Sequence, residues 1–470
     1  MQRESNPALR PKIQEVAMMQ RFLRSSKCLM YGMVGVVVTT MLTIWGCGGT
    51  GSGSYTDPNA SITTTKTASA LIEPATLKQW MDEGKVNSPD AASRDRVVIV
   101  SVGTPANYAT AHIPGSQLLD SGALNLNRLE GVTPISTMVM DGPTIDGHIQ
   151  RLGINKYTTI VIAPTGADNA MNASRAYFTF RYWGFPKDRL KILNGGQTAW
   201  ATEAAAASWP ASYAVTATVP TVTASTFSVK NLYNGTNTNN FNLRYSIGEM
   251  INLVDKINAG TISTGATGVA IMDERGGVSV TAHPYIANAA TYNNGTTTVL
   301  DSHSNYYGAT AGSFKDSATI TSNLASFGVT ASKSMTYVYC ASGMRASTAF
   351  FVLDGILGWP VTLYDGSWNQ WSGYTSLSAS SNLVLAAWRT NVNTSATVAV
   401  NRTANASLYD TLGTGNVKPA TLTLDPTANT IYTSITDPRA NQMLNEDKAY
   451  FTSGGSTSPA TGGGGSAGGC

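Results

Sequence analysis

Cysteine and charge are both scarce in this chain of 470 residues. It contains four cysteines, and charged residues make up only 13% of the sequence. The cysteines show no C-x-x-C spacing, which excludes ribbon-type zinc sites and c-type haem attachment, and four cysteines are too few for a fold stapled by disulfides. No metal or cofactor site is predicted. With a net charge of +3 and no basic patch, nucleic acid is not expected as a partner.

One cysteine follows a short run of strand-forming residues. Residues 337–339 predict a strand that ends at Cys340, a loop containing Gly343 follows, and an apolar helical run begins after Arg345. Several backbone N–H groups and the positive end of the helix dipole meet at such a loop. This arrangement should favour the thiolate, so that Cys340 is a better nucleophile than a free cysteine.

The pattern C-x-x-G-x-R from Cys340 to Arg345 resembles the active-site loop of the rhodanese (sulfurtransferase) family. Residues 364–371 read Y-D-G-S-W-N-Q-W, similar to the signature that closes the catalytic half of two-domain thiosulfate and 3-mercaptopyruvate sulfurtransferases. The C-x4-R loop is one residue shorter than that of related phosphatases and arsenate reductases, which favours sulfur over phosphoryl transfer. The resemblance implies an α/β fold with two rhodanese-like domains, each a mostly parallel sheet flanked by helices, plus a C-terminal extension.

The resemblance also implies roles for individual residues. Cys340 would attack the outer sulfur of a donor and carry a persulfide, and Ser367 would hydrogen-bond the donor or the leaving group. Asp273 and Arg275 match the family's D-x-R, and either contact the substrate or pair with each other to brace the site. The terminal sulfur would be held by loop residues, namely Ala341, Ser342, Gly343, Met344 and Arg345. Arg345 is expected either to contact an anion or to form a salt bridge within the fold.

The sequence does not decide whether the donor is thiosulfate or 3-mercaptopyruvate. It also does not decide whether the acceptor is a thiol, cyanide or sulfite. Tandem thiosulfate enzymes often carry a further arginine where this chain has Ser279. The family's G-H-I-P-G motif is not recognisable in the second half, where His283 and His303 are the candidate remnants. The edge of the substrate site is therefore expected to differ from that of the family.

The first half of the chain repeats the second without its thiol. No cysteine lies between Cys47 and Cys340, so residues 71–208 cannot carry a persulfide. The resemblance to tandem members of the family implies that this first domain is an inactive copy that forms a wall of the site. Residues 209–240 are the predicted linker and residues 241–378 the catalytic domain. Three pairs of residues match between the halves: Arg175 with Arg345, Gly195 with Gly366, and Trp200 with Trp371.

The N-terminal residues predict export. Residues 1–46 have a charged start and an apolar middle, as in a bacterial signal peptide, and I-W-G-C resembles a lipobox with Cys47 as the lipidated residue. Residues 47–70 read as a flexible tether. The protein is thus expected to be lipid-anchored in the cell envelope, at the outer membrane; a short transmembrane anchor is the alternative.

The C-terminal residues extend past the end of the resemblance. Residues 379–452 form a predicted extension with an amphipathic segment near 442–451, and the Gly-rich tail 453–470 is expected to be disordered. Its last residue, Cys470, is either a persulfide acceptor or resolving thiol, an intermolecular disulfide partner, or without a role.

Two functions therefore compete. The first is sulfur transfer through a Cys340 persulfide, which the presence of Cys340 and Ser367 favours. The second is a non-catalytic accessory subunit of an envelope electron-transfer or metal-handling complex, with envelope proteins as partners. Ser279 and the long extension favour the second.

Overall fold

The computed structural model describes residues 69–89, 96–130, 133–165, 170–275, 285–286, 289–291, 305–308, 312–378, 381–384, 389–390 and 441–454. Among these residues no helix is both long enough and apolar enough to cross a membrane. Several predictions fall outside the described residues: the signal peptide, most of the tether and of the C-terminal extension, nearly all of the Gly-rich tail, Cys28, Cys47, Ser279, His283, His303 and Cys470.

The strands are short and mostly apolar. They are β1 (Leu71–Ile72), β2 (Val97–Gly103), β3 (Gln117–Asp120), β4 (Leu126–Glu130), β5 (Thr133–Met138), β6 (Thr159–Pro164), β7 (Leu190–Leu193), β8 (Arg244–Tyr245), β9 (Val269–Asp273), β10 (Tyr285–Ile286), β11 (Ala289–Thr291), β12 (Met335–Tyr339), β13 (Val361–Tyr364), β14 (Ser376–Ser378), β15 (Ser381–Val384) and β16 (Arg389–Thr390).

Two five-stranded sheets share one topology. The first has the order β1-β7-β6-β2-β3 and the second β8-β13-β12-β9-β11, and every pairing in both sheets is parallel. The two orders coincide when the strands are matched along the chain. Strand β2 is buried along its whole length, as expected of a parallel strand covered on both faces. The predicted α/β class with mostly parallel sheets is confirmed.

The longer helices flank these sheets. They are α1 (Pro74–Asp82), α2 (Pro105–Thr110), α3 (Gly142–Arg151), α4 (Ala170–Tyr182), α5 (Gly196–Ala206), α6 (Ile247–Asn258), α7 (Ser317–Ala325), α8 (Met344–Phe351), α9 (Ser367–Thr375) and α10 (Gln442–Thr452).

From the sequence alone, residues 71–84 at the start of the predicted first domain are expected to form one helix, and this expectation is wrong at its start. Leu71 and Ile72 form the edge strand β1, which pairs with β7, and the helix begins at Pro74. Proline suits the first helical position, because the N–H that it lacks would have no partner in the helix.

The two sheets lie in one compact unit and share a core between α4 and α8. Phe178 of α4 meets Phe350 of α8 edge to face at 5.0 Å, and Tyr177 meets Phe351 at 4.8 Å. The Tyr177 hydroxyl also donates to Asp354 at 2.8 Å. In each half the helix that makes this contact follows the strand at the centre of the sheet, so the ends of the two central strands are brought close to the shared core.

Helix α10 of the C-terminal extension packs against the first half and contacts the second. Asp447 forms a buried bidentate ion pair with Arg128 at 2.7 and 3.0 Å and accepts a hydrogen bond from Tyr182. Just before the helix, Asn441 accepts a hydrogen bond from Ser246 of the second half. The extension therefore links the two halves.

Candidate active site

Cys340 lies at the end of β12, the central strand of the second sheet. Tyr339 is in register with Asp273 of β9, and the chain leaves the sheet at the cysteine. Cys340 is only 2% exposed, whereas the next residue, Ala341, is exposed. The thiol is thus held at the base of the loop.

The loop after Cys340 turns its carbonyl groups toward α9. The Cys340 carbonyl accepts a hydrogen bond from the N–H of Trp368 at 2.9 Å, and that of Ala341 accepts one from Asn369 at 2.9 Å. In a trans peptide the N–H points opposite to the C=O, and the described chain has no cis peptide. The N–H groups of Ala341 and Ser342 therefore point away from α9.

The loop amides are unused within the described part of the protein. No described residue accepts a hydrogen bond from the N–H of residues 341–345. The amides of Met344 and Arg345 open α8, where the first N–H groups of a helix have no partner within it. Five consecutive N–H donors thus have no acceptor among the described residues, and runs of such amides can bind an anion.

Gly343 permits the close fit between this loop and the one before α9. Its φ of 82° lies in the left-handed region, and it caps the N-terminus of α8. A Cβ at this position would lie 2.5 Å from the carbonyl oxygen of Asp365, which is closer than real contacts allow. Glycine therefore meets both the conformational and the steric requirement.

Ser367 holds the main chain of the nucleophile. Its Oγ accepts a hydrogen bond from the N–H of Cys340 at 3.1 Å and donates to the carbonyl of Tyr364 at 2.9 Å. Its φ of 52° is uncommon for a residue with a side chain, and such strain is concentrated at functional sites. The predicted contact between Ser367 and a donor stays a prediction.

Asp365 joins the loop to the first half of the chain. Its carboxylate accepts from Arg175 at 2.6 Å and from the N–H of Val139 at 2.7 Å, and Arg244 lies at 3.4 Å. Both Arg175 and Asp365 are completely buried. Burial alone would raise the pKa of Asp365, but the charges of Arg175 and Arg244 outweigh it and hold the pKa below its usual value.

Arg244 completes a buried network of four charges. It forms a bidentate pair with Glu130 at 2.7 and 3.1 Å, in addition to its contact with Asp365. Burial lowers the pKa of Arg244, but the two carboxylates outweigh burial and raise it well above its usual value. With Arg175 included, the network contains two positive and two negative charges, so its net charge is zero. The first half therefore supplies Arg175 and Glu130 to a network beneath the active-site loop.

Asp273 and Arg275 lie on the other face of the second sheet. Their side chains form a close ion pair, and Asp273 also accepts from the Tyr339 hydroxyl at 2.8 Å. The Arg275 guanidinium lies 4.6 Å from the ring centre of Trp368. Tyr339 and Cys340 point to opposite faces, because successive residues of a strand alternate. This geometry fits the bracing role, and direct contact with substrate stays a prediction.

Arg345 turns toward its own half. Its Nη1 donates to the main-chain carbonyl of Arg275 at 2.7 Å, and among the described residues its guanidinium forms no salt bridge. This contact ties the first turn of α8 to the end of β9, and leaves the positive charge of Arg345 without a carboxylate partner in the described structure. The anion contact and the salt bridge were the two alternatives for this residue, and the second is absent here.

Sequence reasoning missed Glu274, which stands between Asp273 and Arg275. It is fully buried, and one carboxyl oxygen accepts from the Tyr306 hydroxyl at 2.8 Å while the other, Oε2, has no partner among the residues that the structure describes. Burial raises the pKa of Glu274 to about 8, although the Tyr306 hydrogen bond and Arg345 counteract it. The alternation of side chains along β9 could have placed Glu274 on the face opposite Asp273.

No group of histidine, cysteine and carboxylate side chains that could hold a metal ion occurs among the described residues. The chemistry available at Cys340 therefore has to be judged from the thiol, the loop amides and the neighbouring side chains.

Comparison with known proteins gives a domain family for the first half. Residues 73–203 match the family model of the rhodanese-like domain. The first half of the chain is therefore similar to a rhodanese-like domain. This domain contains Arg175 but no cysteine, and it lies within the predicted first domain, residues 71–208.

With each of two relatives, the alignment spans most of the relative's own length. A putative thiosulfate sulfurtransferase of Haloferax volcanii is 25% identical over 306 residues, which are 64% of this chain and 92% of the relative. The sulfur carrier protein TtuD of Thermus thermophilus is 26% identical over 273 residues, 56% of this chain and 83% of the relative. Together with the matched domain, they support sulfur transfer as the broad function.

A solved structure of a doubly substituted EanB with hercynine is similar in fold. The TM-score is 0.50 at 18% sequence identity, and the match covers 66% of this chain and 68% of that one. This likeness supports the rhodanese-like fold.

Proposed function

We propose that this protein is a sulfurtransferase that carries a sulfane sulfur as a persulfide on Cys340. The observation that carries the proposal is the set of loop amides of residues 341–345, which have no acceptor among the described residues and directly follow Cys340 at the end of β12. A terminal persulfide sulfur is an anion that needs such donors, as an oxyanion does in acyl transfer.

The reaction is a double displacement. The Cys340 thiolate attacks the outer sulfur of the donor, the bond from that sulfur to the rest of the donor breaks, and the leaving group takes the electron pair. In the second step an acceptor attacks the terminal sulfur of the persulfide and restores the thiolate. Burial of Cys340 keeps water from the persulfide between the two steps.

Thiosulfate and 3-mercaptopyruvate are the proposed donors, and a thiol, cyanide or sulfite the proposed acceptors. The name of the Haloferax volcanii relative supports thiosulfate as the donor. The name of the Thermus thermophilus relative, a sulfur carrier protein, supports transfer of the sulfur to a further acceptor. The second half acts as the catalytic domain and the first as its inactive partner.

Turnover of both donors by the wild type and by Cys340→Ser tests the proposal. We expect the substitution to reduce turnover at least about 1,000-fold, because the covalent route is lost. Cys28→Ser, which removes a thiol from the predicted signal peptide, is the matched control and should keep full activity. Equal turnover by wild type and Cys340→Ser, or no turnover by the wild type with either donor, would overturn the proposal and favour the non-catalytic alternative.

Export and lipid attachment at Cys47 are proposed from the sequence alone. Metabolic labelling with palmitate in a bacterial host should mark the wild type and not Cys47→Ala. Equal labelling of the two would contradict the assignment of Cys47 as the lipidated residue.

A further inference from the structure

Glu274 stands beside the nucleophile at the end of the neighbouring strand. Asp273 and Tyr339 are paired in register. The main chains of the next two residues, Glu274 and Cys340, are therefore neighbours, about 5 Å apart as in adjacent strands. Asp273 and Tyr339 bond to each other on one face of the sheet. Because side chains alternate along a strand, Glu274 and Cys340 both point to the opposite face.

The surroundings confirm this orientation. Cys340 belongs to the core cluster that contains Tyr306, and the Tyr306 hydroxyl is the group that binds the Glu274 carboxyl. The titratable and charged groups that act on this carboxyl are the Tyr306 hydroxyl, the Arg345 guanidinium from α8 and Asp273 on its own strand. One carboxyl oxygen, Oε2, is buried and has no partner in the described part of the chain. An unpaired buried polar atom costs free energy, and its retention points to a function.

The first half has no acid in this position. Ser101 and Ala163 form the register pair that corresponds to Asp273 and Tyr339, so Val102 takes the place of Glu274 and Pro164 that of Cys340. Val102 is buried and belongs to the apolar core. The carboxyl therefore occurs beside the thiol and is replaced by a hydrocarbon side chain where the thiol is absent.

We propose that Glu274 is the acid that protonates the leaving carbon of a 2-oxo thiol donor, the class to which 3-mercaptopyruvate belongs. The inference rests on the proposed sulfurtransferase function. It adds to that function a preference for 3-mercaptopyruvate, whose leaving group needs a proton, over thiosulfate, whose leaving group does not.

The first step moves the donor sulfur to Cys340 and leaves a proton on the donor carbon. The Cys340 thiolate forms a bond to the donor sulfur, the carbon–sulfur bond of the donor breaks, and its electron pair stays on carbon as an enolate. The enolate carbon takes the proton of the Glu274 carboxyl, which gives pyruvate and a carboxylate. An acid that is still protonated near neutral pH is suited to this step, since burial raises the pKa of Glu274 to about 8.

The second step returns the proton. The Glu274 carboxylate accepts the thiol proton of the acceptor, and the resulting thiolate attacks the terminal sulfur of the persulfide. The acceptor leaves as a persulfide, Cys340 is again a thiolate, and Glu274 is again an acid. Thiosulfate releases sulfite, a stable anion that leaves without a proton, so its reaction does not need Glu274.

The substitution Glu274→Gln should affect the turnover of these two donors differently. The substitution keeps the shape of a neutral carboxyl but removes its transferable proton. We expect kcat with 3-mercaptopyruvate to fall at least about 100-fold, the lower range for general acid catalysis, while turnover of thiosulfate with cyanide, an acceptor that has no proton to lose, changes less than about threefold. A loss of equal size with both donors, or no loss with either, overturns the inference.

The pH dependence gives an independent test that does not require the glutamine variant to fold. Activity of the wild type with 3-mercaptopyruvate should decline as the pH rises past about 8. The Tyr306 hydrogen bond lowers the pKa of Glu274, so Tyr306→Phe should move this decline to higher pH. Tyr307→Phe is the matched control, because its hydroxyl bonds to Thr348, and should leave the decline in place.

The outcomes distinguish the two proposals. A wild type that turns over thiosulfate but not 3-mercaptopyruvate overturns the role of Glu274 and leaves the persulfide function standing. A wild type that turns over neither donor overturns the proposed function. An unchanged pH profile in Tyr306→Phe contradicts the role of Glu274 alone.

Discussion

The two halves of the chain have the same sheet topology but differ at the residue that ends the central strand. In the second half Cys340 donates its N–H to the Ser367 hydroxyl. In the first half Pro164, which has no N–H, takes the cysteine position, and Gly196 takes that of the serine. A Cβ on Gly196 would lie 2.6 Å from Pro164. The thiol and the hydroxyl that holds its main chain are thus both absent from the same half, as expected if they act together.

A second difference lies two residues earlier, at Asp365 and its counterpart Asn194. Asp365 accepts from the N–H of Val139 in the other half, and in the same way Asn194 accepts from the N–H of Phe314. The cross-contact is therefore preserved, but only Asp365 is charged. Its charge pairs with Arg175 of the first half, whereas Arg345, which matches Arg175, stays with its own half. The half without a thiol supports the loop of the other half in this way.

The largest loss of stability is expected when the charge that distinguishes Asp365 from Asn194 is removed. Asp365→Asn makes the second half resemble the first at this position and leaves Arg175 buried without its partner. We expect the free energy of unfolding to fall by about 3–5 kcal/mol in chemical denaturation, because an unpaired buried charge is costly. The exposed Asp82→Asn, which also removes a paired carboxylate, is the control and should change little.

A double substitution sharpens this test. Asp365→Asn combined with Arg175→Leu should cost less than the sum of the two single changes, because the charge left unpaired by the first change is removed by the second. Additive losses would show that the pair does not couple the two halves.

Glu274 should make stability depend on pH. Burial raises its pKa from 4.5 to about 8, so the folded protein keeps a proton that the unfolded chain loses. The contribution of Glu274 to stability is therefore greatest below about pH 4.5 and falls as the pH rises toward 8, at about 1.4 kcal/mol per pKa unit. Glu274→Gln should reduce this fall, measured by denaturation at pH 5 and pH 8, whereas the exposed Glu446→Gln should not. An identical fall in wild type and Glu274→Gln would contradict the assignment.

Smaller effects are expected at Ser367, whose counterpart is Gly196. Ser367→Ala and Ser367→Gly both remove the hydroxyl that binds the Cys340 N–H, but only glycine relieves the positive φ. The alanine variant should therefore be less stable than the glycine variant by about 1 kcal/mol, while both lose activity. Equal stability of the two variants would show that the backbone is not strained there.

Local patterns predicted much of the fold and the position of the nucleophile. The strand before Cys340, the helix after Gly343 and the amphipathic helix near residues 442–451 all follow from hydrophobic periodicity and turn residues. The matched pairs between the halves also predicted a repeat, and the two sheets have the same strand order.

Contacts between distant residues could not be predicted in this way. Arg175 and Asp365 are 190 positions apart, and the pattern matched Arg175 with Arg345 rather than with its partner. The ion pair of Asp447 with Arg128 spans 319 positions, so the extension gave no sign of its contact with the first half. Glu274 was overlooked because the D-x-R pattern treats its middle residue as variable, although strand alternation places it beside the thiol.

The central claim is that the loop after β12 holds a sulfur atom on Cys340. Single-turnover reaction with either donor, followed by protease digestion and mass spectrometry, tests it most directly. We predict a mass gain of one sulfur atom on the peptide that contains Cys340, lost again when a thiol acceptor is added. No gain on that peptide, or a gain that persists in Cys340→Ser, would contradict the account.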